Sequence, residues 1–142
     1  MKICDIMTDR VVSVTMGESV SEAARLMKRC NIGALPVCDS GGRLRGILTD
    51  RDIVLRCVAE EGDIRQRKVE DVMSRSVVTT EPFAPVAKAA EMMSRDQIRR
   101  LPVLDSGHLV GMVALCDLAR SCSCEMEASE TLADISANVR RR

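Results

Sequence analysis

The feature that most constrains this chain is that it says the same thing twice, the second copy starting 66 residues after the first. Asp5, Met7, Val11, Val12, Val20, Ala23, Ala24, Met27, Arg29, Ile32, Leu35, Pro36, Val37, Asp39 and Ser40 recur as Asp71, Met73, Val77, Val78, Val86, Ala89, Ala90, Met93, Arg95, Ile98, Leu101, Pro102, Val103, Asp105 and Ser106. One residue is then lost in a turn, and Leu44, Gly46 and Asp52 recur at an offset of 65 as Leu109, Gly111 and Asp117. Each copy alone is too small to bury a core comfortably, so the two halves are expected to pack together about a pseudo-twofold axis. Any cleft made where they meet then occurs twice, in related forms that mutate separately.

The repeat predicts a first domain at 1–62, a second at 66–121 and a tail at 122–142, with the charged stretch from Glu60 to Lys68 around Gly62 as linker. An apolar share of 46% with 30% charged residues argues against disorder, and a net charge of zero gives no electrostatic reason to expect nucleic acid or an acidic membrane as partner. No apolar run is long enough to span a bilayer and no signal-peptide core opens the chain, so a cytoplasmic location is expected. Seven cysteines form an odd set without a framework pattern and are expected to be free thiols, Cys30, Cys38 and Cys57 as small buried hydrophobes. Phe83 is the one aromatic residue. A purine bound here would have to be sandwiched by aliphatic side chains.

Within the first copy Val11, Val12 and Val14 predict a strand, and Ser19 with Glu22 predicts a capped helix whose apolar face carries Val20, Ala23, Ala24 and Met27. Asn31 and Gly33 end that helix. A hairpin follows, out through Leu35 to Val37, turning at Asp39 to Gly42 and returning through Leu44 to Leu48. Thr49 opens a second helix carrying Ile53, Val54 and Val58. The fold class is α/β, each copy running strand, helix, strand, strand, helix, the second with Pro85 near the start of its first helix. A last helix is predicted from Ser129, with Leu132, Ile135 and Val139 on one side.

These residues resemble a known family, the CBS domain, which occurs in pairs called Bateman modules. The resemblance rests on D-I-M-T at Asp5 and D-V-M-S at Asp71, on I-G-A-L-P-V at Ile32 and I-R-R-L-P-V at Ile98, and on G-I-L-T-D-R-D-I from Gly46 with G-M-V-A-L-C-D-L from Gly111. It covers residues 2 to 121, and the first copy is especially similar to small stand-alone bacterial two-CBS proteins, including the hypoxic-response type. The resemblance implies sensing rather than catalysis. It implies an adenosyl ligand (AMP, ADP, ATP or S-adenosylmethionine) in clefts between the copies and no separate cofactor; no fused effector domain is expected, so output is expected through a homodimer or a protein effector.

In that family a hydroxyl and a carboxylate three residues apart hold the ribose hydroxyls. The matching positions are Thr49 and Asp52, with Ile47 over the base. The other copy would supply Val77 and Val78 beside the base, backbone groups of Ile98, and Arg99 or Arg100 near a phosphate, where a planar guanidinium fork suits phosphate oxygens. Thr49 and Asp52 also have the spacing of a helix-capping pair, which needs no ligand; both roles are compatible. The second cleft would use Val11, Val12, Ile32, Gly33, Met112 and Asp117, but Ala114 stands where the hydroxyl belongs and Gly33 and Ala34 carry no charge, so it is expected to be weak or vacant.

Three other classes compete. An enzyme is disfavoured, because the single histidine, His108, falls in a hairpin turn with no nucleophile around it and no phosphate-loop glycine pattern occurs. A thiol or metal sensor is the more serious rival, since Cys116, Cys122 and Cys124 cluster downstream of His108; against it, the Cys122-x-Cys124 spacing is not that of a zinc knuckle, and Cys116 is expected to face inward. The third is a non-nucleotide interaction or dimerisation module, with its homodimer surface on helix faces carrying Val54, Met92 and Met93.

Overall fold

The structure, a computed structural model, describes residues 1–121 and 125–140, with side chains at 1–121 and 129–137. The chain divides into two compact units, one made of residues 12–77 and the other of 1–11 with 78–142.

In the first of these units β1 (Val14–Thr15) pairs parallel with β2 (Ala34–Cys38), and β2 pairs antiparallel with β3 (Leu44–Thr49). Helix α1 (Val20–Cys30) connects β1 to β2. Its start is fixed by Ser19, whose Oγ accepts the Glu22 N–H at 3.1 Å, and its end by Asn31 in the left-handed conformation at φ 54°. Val20, Ala23 and Met27 recur at helical spacing and bury one face against Leu35, Val37 and Leu48 of the sheet. The hairpin turn is ordered by Asp39, whose Oδ1 accepts N–H groups of Gly41 and Arg43 at 2.9 and 3.0 Å. After β3 come α2 (Asp50–Ile53), a π-helical turn (Val54–Val58) and, beyond the charged stretch, α3 (Val69–Val72).

The other unit repeats this plan with α4 (Val86–Asp96), the hairpin of β4 (Arg100–Asp105) and β5 (His108–Ala114), and α5 (Leu115–Arg120). Pro85 occupies the cap position of α4. The expected leading strand is reduced here to one parallel bridge, Thr80 to Val103, in which Thr80 donates to Pro102 O at 3.0 Å and accepts from Leu104 N at 2.9 Å. Two residues on, the ladder would need another N–H, and Pro82 has none. In the first copy, too, regular pairing starts at Val14 and leaves Val11 and Val12 outside the strand.

The motif repeats and the compact units do not coincide. Residues 1–11, which open the first copy, belong with the second hairpin: Ile3 N–H bonds Ala84 O at 2.9 Å, Cys4 N–H bonds Pro82 O at 2.8 Å, and Thr8 and Met112 exchange both backbone bonds. Ile3 is fully buried in that core beside Met93, Leu101 and Leu118. The equivalent segment of the second copy belongs with the first hairpin, where Ser74 and Ile47 exchange both backbone bonds at 2.9 Å and Val69, Val72 and Met73 join the core.

The tail helix α6 (Glu125–Arg140) starts earlier than predicted and packs in the unit of the second hairpin. Ile135 is buried as expected, but Leu132 is exposed and Thr131 takes the inward place, donating to Ala90 O at 3.3 Å and lying 3.2 Å from Ser94 Oγ. The Val139 side chain lies outside the described residues. Three further expectations are corrected. Cys30 and Cys116 are exposed, because each falls on the outer side of its helix, and Met93 is wholly buried and so unavailable to a dimer surface. Cys38 and Cys57 are buried as expected. No helix among the described residues is long and apolar enough to cross a membrane.

Candidate functional site

Thr49 ends β3 and caps α2, so its side chain is placed by the strand-to-helix turn itself. Its Oγ1 accepts the Asp52 N–H at 3.1 Å, and its own N–H donates to Asp52 Oδ2 at 2.9 Å. The capping box is therefore closed, and it holds the carboxylate in one pose. The Thr49 hydroxyl keeps its hydrogen to donate, and Asp52 keeps its second oxygen, Oδ1, which faces Arg56 Nε at 3.9 Å. The Asp52 side chain is 13% exposed, enough for small polar groups to reach it.

Ile47, two residues earlier on β3, is half-buried, with its backbone fixed by Ser74. Val77 is in this unit as well. Val78, Ile98, Arg99 and Arg100 are in the other, so the predicted residue set is shared between the two units. Ile98 follows the left-handed cap Gln97 at φ 57°, and its N–H is committed to Met93 O at 3.1 Å, leaving the carbonyl as the backbone group it offers. Arg99 accepts the Leu115 N–H on its backbone oxygen at 2.9 Å, which ties the start of the hairpin to the start of α5. The Arg99 and Arg100 side chains are exposed and make no ion pair among the described residues.

The second predicted set is shared in the same way, with Val12, Ile32 and Gly33 in one unit and Val11, Met112 and Asp117 in the other. Asp117 reproduces the pose of Asp52: Ala114 N–H donates to its Oδ2 at 2.7 Å, and its Oδ1 lies 3.7 Å from Arg120 Nη1. Only the hydroxyl is missing, because Ala114 has none. Met112 is half-buried, its backbone fixed by Thr8 as that of Ile47 is by Ser74. Gly33 differs more from Arg99 than a missing side chain suggests. A β-carbon there would come 3.0 Å from Asp50 Oδ2, so a carboxylate lies beside the residue that matches Arg99 in sequence. An anionic phosphate is disfavoured at that position.

Sequence reasoning passed over Arg56. Its Nη1 lies 3.2 Å from Val72 O, 3.3 Å from Met73 O and 3.5 Å from Ser74 Oγ, while its Nε faces Asp52. The available signal was its position four residues after Asp52, on the same helical face. His108 is exposed at the start of β5 and Cys116 is exposed on α5. Among the described residues no three histidine, cysteine or acidic side chains are placed to hold a metal ion; Cys122 and Cys124 lie outside those residues.

The family model of the CBS domain matches residues 3–58 and 69–123. The CBS domain-containing protein YhcV of Bacillus subtilis is 44% identical over 132 residues, covering 93% of each chain. Among solved structures, Hypoxic Response Protein I with two coordinated zinc ions is 34% identical with a TM-score of 0.79, over 84% of this chain and 98% of that one. The CBS domain pair of protein MJ0100, in complex with 5'-methylthioadenosine and S-adenosyl-L-methionine, is 31% identical with a TM-score of 0.75, over 84% and 94% of the two chains.

Proposed function

This chain belongs to the CBS-domain family, carrying two copies of the domain, and from that premise we propose that it is a regulatory module that senses an adenosyl small molecule. The observation that carries the proposal is the closed Thr49–Asp52 box, which holds a half-buried carboxylate with one oxygen uncommitted to the cap. Such a carboxylate accepts hydrogen bonds from a ribose diol while the Thr49 hydroxyl donates one. The adenosyl ligands of the MJ0100 pair support that ligand class. Ile47, Val77 and Val78 would flank the base, with the Ile98 carbonyl and Arg99 or Arg100 serving base and phosphate. The set around Asp117 is the weaker one, lacking a hydroxyl and carrying Asp50 beside Gly33. No reaction is assigned to the chain. Ligand binding would favour one arrangement of a cytoplasmic homodimer, which a protein effector then reads.

Isothermal titration calorimetry against AMP, ADP, ATP, S-adenosylmethionine and NAD tests the proposal, with Asp52→Ala in parallel. Saturable binding near one ligand per chain, lost in the variant, is the expected result. Binding of equal affinity in the variant overturns the site, and no heat from any ligand overturns the ligand class.

The two zinc ions coordinated in the related Hypoxic Response Protein I favour a second reading, a metal or thiol sensor. His108, Cys116, Cys122 and Cys124 are the residues it would use here. Zinc titration of the reduced protein separates the two: stoichiometric binding lost in Cys122→Ser would establish it.

A further inference from the structure

From the ion pair and hydrogen bonds around Arg56 we infer that this residue couples the carboxylate of Asp52 to residues 72–74, the leading segment of the second copy that closes this unit. The connection forms a closed ring within residues 47–74. Thr49 and Asp52 hold one another through the capping box. Asp52 Oδ1 faces Arg56 Nε at 3.9 Å. The other end of the guanidinium reaches Val72 O, Met73 O and Ser74 Oγ at 3.2, 3.3 and 3.5 Å. Ser74 returns to β3 by exchanging both backbone bonds with Ile47, two residues before Thr49. A planar fork carries this out because its five N–H donors are fixed in different directions at once.

The arginine side of the pair is open to water, with Arg56 side-chain exposure at 49%, so its hold is modest and adjustable rather than fixed. A hydroxyl group that takes up Asp52 Oδ1 weakens the attraction on Nε and leaves the guanidinium to settle on the Val72 and Met73 carbonyls and Ser74 Oγ. Arg56 is thus a positioning residue: it links Asp52 to residues 72–74 and needs no contact with a ligand. The second copy lacks the device in this form. Its equivalent of Arg56 is Ser121, and the partner of Asp117 is Arg120, one residue earlier and 78% exposed. The two copies therefore differ in what they can transmit as well as in what they can hold.

The ligand part of this inference rests on the proposed function; the coupling itself does not, and the test separates them. Amide exchange at Ile47 and Ser74 is measured by NMR in the unliganded full chain, in Asp52→Asn, in Arg56→Gln and in the double variant. Asp52→Asn is expected to change exchange at both amides by about twofold to fivefold, the scale of a partly exposed ion pair. That change is expected to vanish in the Arg56→Gln background. If Arg56 merely props up residues 72–74, the effect of Asp52→Asn is the same with or without it, and the coupling is overturned. In a second arm, saturating AMP or S-adenosylmethionine is added. Binding that alters Ser74 exchange in the native chain but not in Arg56→Gln, with heat of binding retained, supports transmission to the segment; an equal alteration in both overturns it. Absence of binding in that arm counts against the proposed function alone, because the unliganded arm still decides the coupling.

Discussion

A β-carbon on Gly111 would stand 2.6 Å from the Sδ of Met7, a residue at the far end of the chain, and the same relation holds between Gly46 and Met73 Sδ at 2.8 Å. The methionine of each leading segment occupies the space that a side chain on β3 or β5 would need. Gly46→Ala is accordingly expected to destabilise the chain by about 1–3 kcal/mol, because its β-carbon also meets the Ser74 backbone oxygen at 2.6 Å, which cannot move aside cheaply. Gly111→Ala should cost less, its nearest neighbour being a flexible thioether, and part of that cost should return on Met7→Ala. Urea midpoints of the three variants check the order.

Ala114→Thr should stabilise the protein. Ala114 already donates its N–H to Asp117 but has no side chain to accept in return, whereas Thr49 completes both halves of its box. Restoring the hydroxyl is expected to add about 1 kcal/mol, and Thr49→Ala to remove a similar amount. Thermal unfolding of the two variants should show shifts of opposite sign.

The thiols should divide by burial. Burial, and then the charge of Asp39, push the Cys38 thiol above its usual value, against an opposing hydrogen bond from Ser13. A raised thiol stays protonated in the folded chain, so its contribution to stability is present up to the unfolded value and is lost as pH rises through the folded one. At neutral pH an alkylating reagent is expected to modify Cys30 and Cys116 promptly, and Cys38 and Cys57 only on unfolding. Peptide mass spectrometry after timed quenching checks the order; early modification of Cys57 would contradict its burial.

Acid should loosen the first hairpin turn late. The Arg43 N–H, the Arg45 guanidinium and the Gly41 N–H, in that order, hold the Asp39 carboxyl below the usual carboxylate range. A lowered folded value means that the turn gains from the charge above the unfolded value and loses that gain as pH falls through the folded one. The Gly41 and Arg43 amide resonances are expected to shift below the ordinary carboxylate range and to lose this acid dependence in Asp39→Asn.

Much of this was legible in the chain because the signals are local. Ser19 with Glu22, Asn31 at the helix end, Asp39 in the turn and Thr49 with Asp52 all act over four residues or fewer, and each takes the predicted place. What was not legible depends on neighbours distant in sequence. Pro82 ends the leading strand of the second copy only because Thr80 has aligned with Val103 there. Thr131 displaces Leu132 from the inner side of α6 because the Ala90 carbonyl and Ser94 on α4 offer it partners, which an apolar periodicity does not reveal. Arg56 looked like an ordinary exposed arginine, and only the return of residues 72–74 to β3 gives its guanidinium something to grip.

The exchange of leading segments also bears on inheritance. Residues 12–77 form one unbroken stretch that contains every described member of its own core, so in sequence one unit is inserted into the other between residues 11 and 78. The frame in which the repeat was copied and the frame in which it folds are offset. A hybrid gene spliced at the motif limits, 3–58, would leave Val69, Val72 and Met73 behind, whereas junctions at 11/12 and 77/78 would carry a complete core from one relative into another.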